Sequence, residues 1–296
     1  MTLPKSALFS PGAAPAEREV RGRLELGIGV RGGRSVASQQ FHEGALRVLR
    51  PHYLDESGQV CYVMVNPGGA YLGADVFVIE VEVHAGAELL LTTQSATKVY
   101  RTPGSFAEQR MNIKLGEGSR LELMPDQLIA YREASYRQNS RISLHPTSSL
   151  VIAEVVTPGW SPDGASFKYE EVRLRNEIHV QTGDHEDLLA LDNLLIRPPL
   201  GNVTGMGFME GFSHLGSLVV VDPRVDQGLA DELHGLVREF DAYSGVSLTT
   251  TIAGTTGLVL RSLSNSTEEL NTLLGACTGV LRDRWYGQAP LNLRKY

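Results

Sequence analysis

The sequence predicts a mainly β protein, with strand repeats stacked in layers and a few helices near the C-terminal half, and three observations carry that expectation. The first is an internal repeat. Val81-Glu82-Val83, His84-Ala85-Gly86-Ala87 and Glu88-Leu89-Leu90-Leu91 read as a short strand, a four-residue connection and a second strand. The pattern recurs at Ile113 to Leu115, Gly116 to Ser119 and Arg120 to Leu123, again at Ile142 to Leu144, His145 to Ser148 and Ser149 to Ile152, and in a later relative from Thr250 to Leu260. The first three units start about 30 residues apart, a spacing at which stacked strand pairs share one core. Ordinary hairpins in a sandwich satisfy the same pattern. The second observation is alternation: from Asp75 to Thr93, Phe77, Ile79, Val81 and Val83 fall on one strand face and Glu80, Glu82 and His84 on the other. The third is that helical periodicity is confined to two late segments.

In the first of these, 226–241, Leu229, Leu233, Leu236, Val237 and Phe240 follow helical spacing after Asp226, a candidate N-cap. In the second, 267–285, Leu270, Leu273, Leu274, Cys277, Leu281 and Trp285 do the same, and Ser266 with Glu269 has the spacing of a capping box. Gly275 and Gly279 each cost this helix about 1 kcal/mol relative to alanine, so packing must hold it. The expected organisation is a flexible segment 1–17, a single β-rich domain 18–286 and a tail 287–296 without a secure element of its own. That tail is expected to order on a partner.

Composition narrows the function. With 296 residues and 42% hydrophobic content the chain buries a sizeable core without staples. Cys61 and Cys277 form no CxxC or Cys/His cluster, which fits a reducing, cytoplasmic setting. The first residues lack a continuous apolar stretch, and no run of 18 uncharged apolar residues occurs anywhere, so a secreted or membrane-spanning chain is not expected. A net charge of −7 argues against nucleic acid as the partner. The charge is uneven: residues 1–54 carry eight Lys/Arg against four Asp/Glu, and residues 163–241 six against fifteen. This asymmetry suits two faces with different partners, as it suits chance clustering on a solvated surface.

Catalytic signatures are missing. There is no GxxxxGK[ST] loop, HExxH, GxSxG or EF-hand pattern. The polar run Gly183-Asp184-His185-Glu186-Asp187, with His179 nearby, reads as an exposed acidic turn in preference to a cation site. Asp75, Glu122 and Glu154 are the candidate functional carboxylates, because each lies in or beside an apolar strand where burial demands water, a cation or a basic partner. Pairing of Asp75 or Glu122 with Lys98 or Arg101 would meet that demand without any further role.

Three blocks carry a family resemblance: Gly68-Gly69-Ala70-Tyr71-Leu72-Gly73-Ala74-Asp75, then Leu91-Thr92-Thr93-Gln94-Ser95-Ala96-Thr97-Lys98-Val99-Tyr100-Arg101, then Leu121-Glu122-Leu123-Met124-Pro125-Asp126-Gln127-Leu128-Ile129. In order and spacing they resemble the signatures of the UreD (UreH) urease accessory proteins, and a looser similarity continues through Glu154 to Trp160. The matching positions are Gly68, Gly69, Asp75, Thr92, Thr93, Thr97, Lys98, Tyr100, Arg101, Glu122 and Pro125. Turn and strand formation alone accounts for the glycines and threonines equally well. Ala74 stands where the family usually has glycine, Leu123 where it often has tryptophan, Asp126-Gln127 replace a frequent Gln-Glu, and Gly159-Trp160 and Gly164-Ala165 replace charged dipeptides.

The resemblance implies a β-helix-like, non-enzymatic cytoplasmic scaffold. It implies partnership with UreF, with the GTPase UreG through UreF, and with urease apoprotein, with UreE as upstream nickel source. It further implies no tightly bound cofactor but nickel in transit through an internal passage, for which Asp75, Glu122 and Glu154 are the candidates. Isolated carboxylates suit transit, since a conduit must release what it holds. A β-solenoid hydrolase or lyase using the same three acids, and a plain interaction module, are the competing expectations.

Overall fold

The computed structural model describes residues 18–293, so the expected flexible segment 1–17 and the closing Arg294-Lys295-Tyr296 lie outside the described residues. A hairpin of β1 (Val20–Arg31) and β2 (Arg34–Gly44) is followed by the short β3 (Arg47–Val48) and by β4 (Val60–Val65). Three turns of a β-helix come next. The first contains β5 (Val76–Val83), β6 (Glu88–Thr93) and β7 (Thr97–Val99), and the second β8 (Ala107–Leu115), β9 (Arg120–Met124) and β10 (Leu128–Ala130). The third has β11 (Ser135–Leu144) and β12 (Ser149–Val156). The chain closes with β13 (Glu171–Thr182), β14 (His185–Ile196), β15 (His214–Asp222), helix α1 (Gln227–Leu236), β16 (Tyr243–Ile252), β17 (Thr255–Ser264) and helix α2 (Thr267–Tyr286).

The strands form two broad sheets. The first runs β14-β13-β11-β8-β5-β1-β2, parallel from β1 through β13 with an antiparallel strand at each edge. The second runs β16-β17-β15-β12-β9-β6-β4-β3 and is parallel from β4 to β12. A narrow third face is made by β7 beside β10 and by isolated bridges from Tyr71 to Val99 and from Tyr131 to Trp160. The three repeat units therefore stack as successive layers: Val81 pairs with Ile113, Ile113 with Ile142, and Ile142 with Ile178, while Leu89, Leu121 and Leu150 make the matching column opposite.

The connections between sheets stack too. Gly86 and Gly118 take φ of 67° and 61°, a left-handed conformation that glycine adopts without a Cβ penalty. The Gly86 N–H then donates to the Glu117 carbonyl of the next layer at 2.8 Å. The unit at 250–260 differs. It is an antiparallel hairpin of β16 and β17 whose two-residue turn, Ala253-Gly254, has positive φ at both positions, the geometry that matches strand twist in a tight hairpin. Its local pattern resembles that of the coils because a hairpin and a sheet-to-sheet corner both join two apolar strands through a short turn.

Both helices form where periodicity places them. Asp226 accepts the Leu229 N–H at 2.8 Å, and α1 gives way to a single 3-10 turn at 237–239. At α2 the Ser266 hydroxyl accepts the Glu269 N–H at 3.3 Å, but the reciprocal half of the capping box is diverted: Glu269 accepts from Ser264 Oγ at 2.6 Å. Gly279 leaves room for the returning chain, since a Cβ there would stand 3.2 Å from Pro290 Cγ. Two cores result. One fills the solenoid lumen with inward columns such as Ile79, Leu91, Leu123, Ile142 and Val219, and the other lies between the second sheet and the helices, with Val151, Ala153, Leu218, Leu270, Leu273 and Cys277.

Candidate functional site

The lumen is apolar along most of its length and polar in one stretch. At β8 the inward column of Ala107, Met111, Ile113 and Leu115 includes Gln109, and at β11 the column of Tyr136, Ser140, Ile142 and Leu144 includes Gln138. Tyr71 Oη donates to Gln109 Oε1 at 2.6 Å, Gln109 Nε2 to Gln138 Oε1 at 3.3 Å, and Gln138 Nε2 to Glu154 Oε1 at 2.6 Å. Asn176 Nδ2, from β13, completes the string at 3.3 Å from Glu154 Oε2. Burial raises the pKa of the Glu154 carboxyl, and the amide donors of Gln138 and Asn176 and the charge of Arg261 only partly oppose it. Burial raises the Tyr71 and Tyr136 phenols as well, so the string consists of neutral amides and phenols and one carboxyl that burial makes harder to ionise.

A cavity of about 80 Å³ follows this string and opens on the third face. Its rim contains Gly69, Thr93, Thr97 and Pro125 of the motif blocks, together with Asn66 and Asp126. The geometry explains why these blocks lie far apart in sequence. β6 ends at Thr93, residues 94–96 turn the corner into β7, and the equivalent corner one layer on is Pro125 to Gln127, so both corners border the same opening. Thr93 Oγ1 accepts the Asp126 N–H at 2.9 Å, and Thr92 Oγ1 donates to the Met124 carbonyl at 2.6 Å, which locks one corner onto the next. The TTQSATKVYR block is thus the end of β6, a corner at 94–96 and the short β7. Gly68 and Gly69 turn on Asn66, whose Oδ1 accepts the Gly68 N–H at 3.0 Å and whose carbonyl accepts the Gly69 N–H at 2.8 Å.

The three candidate carboxylates do not share a site. Asp75 closes the turn before β5: its Oδ2 accepts the Leu72 N–H at 2.8 Å and its Oδ1 lies 3.5 Å from Arg21 Nε. Glu122 points away from the lumen, because Leu121 and Leu123 take the inward positions of β9, and it lies beneath α2. There Oε1 accepts from Arg120 at 2.9 Å, while Oε2 accepts from Gln59 at 2.9 Å and from Arg282 of α2. Glu154 alone faces the lumen. The expected pairings with Lys98 and Arg101 are absent among the described residues; Arg101 instead lies 3.4 Å from Glu133. Tyr100 stacks edge-on against Tyr131, with ring centroids 4.7 Å apart, and Tyr131 stands 4.9 Å from Trp160, so the third face carries an aromatic ladder with one ring per coil.

The β13–β14 turn is only Gly183-Asp184, and His185 to Asp187 of the expected acidic turn open β14, where Glu186 accepts from Arg141 at 3.0 Å and Asp187 from Thr182 at 2.7 Å. Among the described residues no group of three or more His, Cys, Asp or Glu side chains could hold a metal ion. Burial pushes the Cys277 thiol up to about 12, which keeps it protonated and inert. No described helix is long and apolar enough to cross a membrane.

The family model described as UreD urease accessory protein matches residues 20–295. The chain is 83% identical over 283 residues to the urease accessory protein UreD of Paenarthrobacter aurescens, covering 96% of this chain and 98% of that one. It is 46% identical to the UreD of Kocuria rhizophila (96% and 92% covered) and 32% identical to that of Staphylococcus aureus (95% and 99% covered). A match of this extent, over corners, lumen and both helices alike, means that the chain belongs to the UreD urease accessory protein family.

Proposed function

We propose that this chain is a urease maturation factor: a cytoplasmic scaffold without turnover of its own that docks on urease apoprotein with UreF, and with UreG through UreF. UreE stands upstream as nickel source, and nickel passes through the solenoid interior as cargo, with no resident cofactor. The observation that carries this reading is the buried polar string from Tyr71 through Gln109 and Gln138 to Glu154, threaded through an otherwise apolar core and reached from a mouth built by the motif corners.

The chemistry of the string suits transit. Amide and phenol oxygens are hard, weak ligands for Ni²⁺, and Glu154 must give up a proton favoured by its burial before it can bind a cation. Binding is therefore weak and reversible, as a conduit requires. In this reading Glu154 is the passage carboxylate, while Asp75 and Glu122 serve the passage by fixing the wall around it. A hydrolase using the three acids together is disfavoured by their separation into turn, outer face and lumen.

The test is co-expression of the chain with urease subunits and the other accessory proteins, followed by measurement of nickel per urease and of complex assembly. Glu154→Gln and Gln138→Leu are expected to lower nickel content several-fold while the complex still co-purifies. Full loading with both substitutions present would remove the passage, and failure to bind UreF or urease where urease still matures would remove the scaffold role.

A further inference from the structure

The interior continues past Glu154. A second cavity of about 10 Å³, room for about one water, lies on its far side and shares Glu154 and Leu174 with the first. Its outer wall is the last layer of the solenoid, where Asp192 of β14 belongs to the first sheet and Ser217 of β15 and Arg261 of β17 to the second. The Arg261 guanidinium donates to Ser217 Oγ and to Asp192 Oδ1 and so reaches from one sheet to the other. β14 and β17 share no ladder, so at this level the two sheets are joined across the lumen by side chains. The ion pair is largely shielded, with Asp192 16% and Arg261 32% exposed, and Val156, Leu194 and Leu215 surround it.

We propose that Arg261 and Asp192 form a latch that closes the far end of the interior, leaving the free protein with one open end at the motif corners. The proposal rests on Glu154 being a passage residue. Arginine keeps its charge at any working pH, so in the latched position it both repels a divalent cation waiting at Glu154 and occupies the one further carboxylate lining this end. When Arg261 lets go, both obstacles vanish together. The repulsive charge leaves, and Asp192 becomes a ligand one step beyond Glu154, so the ion moves from carboxylate to carboxylate and out. The latch thus couples release of cargo to a local rearrangement at the edge strands, where a docked partner carrying an acidic side chain could compete for Arg261.

The test uses the purified full chain and a small cationic thiol reagent, aminoethyl methanethiosulfonate, with labelling followed by peptide mass spectrometry. Val156→Cys reports on the second cavity and Leu123→Cys on the first, and the buried native Cys61 and Cys277 serve as internal controls. Arg261→Met is expected to raise the labelling rate at Val156→Cys at least tenfold, with Asp192→Asn acting in the same direction and Leu123→Cys changing less than twofold. Equal labelling at Val156→Cys with and without Arg261 overturns the latch, and so does a parallel rise at all cysteines, which would mean general loosening. Nickel loading of urease separates the two readings: if labelling behaves as expected but Glu154→Gln leaves nickel content intact, the latch stands and the passage falls.

Discussion

Removing the Glu122 carboxylate asks whether this residue braces the wall or conducts the cargo. Glu122, Arg120 and Arg282 are each no more than 2% exposed, so Glu122→Ala strands two guanidinium groups in a dry interface between the second sheet and α2. Breaking a buried ion pair from one side costs about 3–5 kcal/mol. The surroundings place the expected loss near the lower end of that range, because partial partners remain. Arg282 keeps the Gln59 and Ala289 oxygens at 3.1 Å and Asp55 at 3.4 Å, and Arg120 keeps Gln288 at 2.7 Å and Glu88 at 3.4 Å. The Tyr286 ring, 3.6 Å beneath the Arg120 guanidinium, shields it further. A loss of about 3 kcal/mol lowers the melting midpoint of a chain this long by roughly 5 °C. Glu122→Gln keeps the volume and one acceptor oxygen, and is expected to lose about half as much. Urea denaturation followed by circular dichroism gives the loss, and nickel content of co-expressed urease gives the function. A brace predicts that stability and complex assembly fall together. If Glu122→Ala keeps its midpoint within about 0.5 kcal/mol of the parent yet abolishes nickel loading, the assignment to the wall is wrong.

Two further outcomes follow from local geometry. Ala74 holds φ at 66° on an exposed turn, where a Cβ costs about 1–2 kcal/mol, so Ala74→Gly is expected to stabilise the chain by about 0.5–1 kcal/mol after the added freedom of the unfolded glycine is subtracted; an unchanged or lower urea midpoint would contradict this. Glu154 has its folded pKa raised by burial, so the native state holds this proton more tightly than the unfolded chain. Its contribution is fully present below the unfolded value near 4.5 and is lost as pH rises through the folded value. Glu154→Gln has no such loss, and the stability difference between variant and parent should shift in the variant's favour between pH 4 and pH 7. A difference that does not change with pH would show that Glu154 titrates normally.

Much of the fold was legible because its determinants are local. Two of the sheet-to-sheet corners use left-handed backbone, so glycine recurs at Gly86 and Gly118, and a half-buried strand alternates, as β5 does with Phe77, Ile79, Val81 and Val83 inward. The hairpin at 250–260 shows the limit of that reasoning, since local signals are the same whether the second strand returns beside the first or crosses to another sheet. The partners of the charged residues were not legible at all. Arg21 comes to Asp75 across a parallel pairing 54 residues away, and Arg282 comes to Glu122 by the docking of a helix, neither of which leaves a mark in the neighbouring sequence.

The contrast between Glu122 and Glu154 is different, because the signal was present. Both carboxylates sit in strands of the second sheet, and both strands are buried on two sides, by the lumen and by the helices. β12 is therefore apolar at nearly every position and shows no alternation from which to read a face. The repeat supplies what the strand lacks. Aligning Arg120-Leu121-Glu122-Leu123 with Ser149-Leu150-Val151-Ile152, as the layers do align, pairs Glu122 with Val151 and so assigns it to the helix side. Two residues beyond Ile152, Glu154 inherits the inward face of Leu121, Leu123 and Leu150. The same logic marks Gln109 and Gln138 as polar residues at inward positions, one per layer and adjacent in register. In a solenoid the informative question about a carboxylate is thus its phase relative to the corner glycines. Polar side chains in phase, Gln109 on the second layer and Gln138 with the facing Glu154 on the third, mark the buried polar string, whereas Asp75 and Glu122 belong to a corner and to the wall beneath α2.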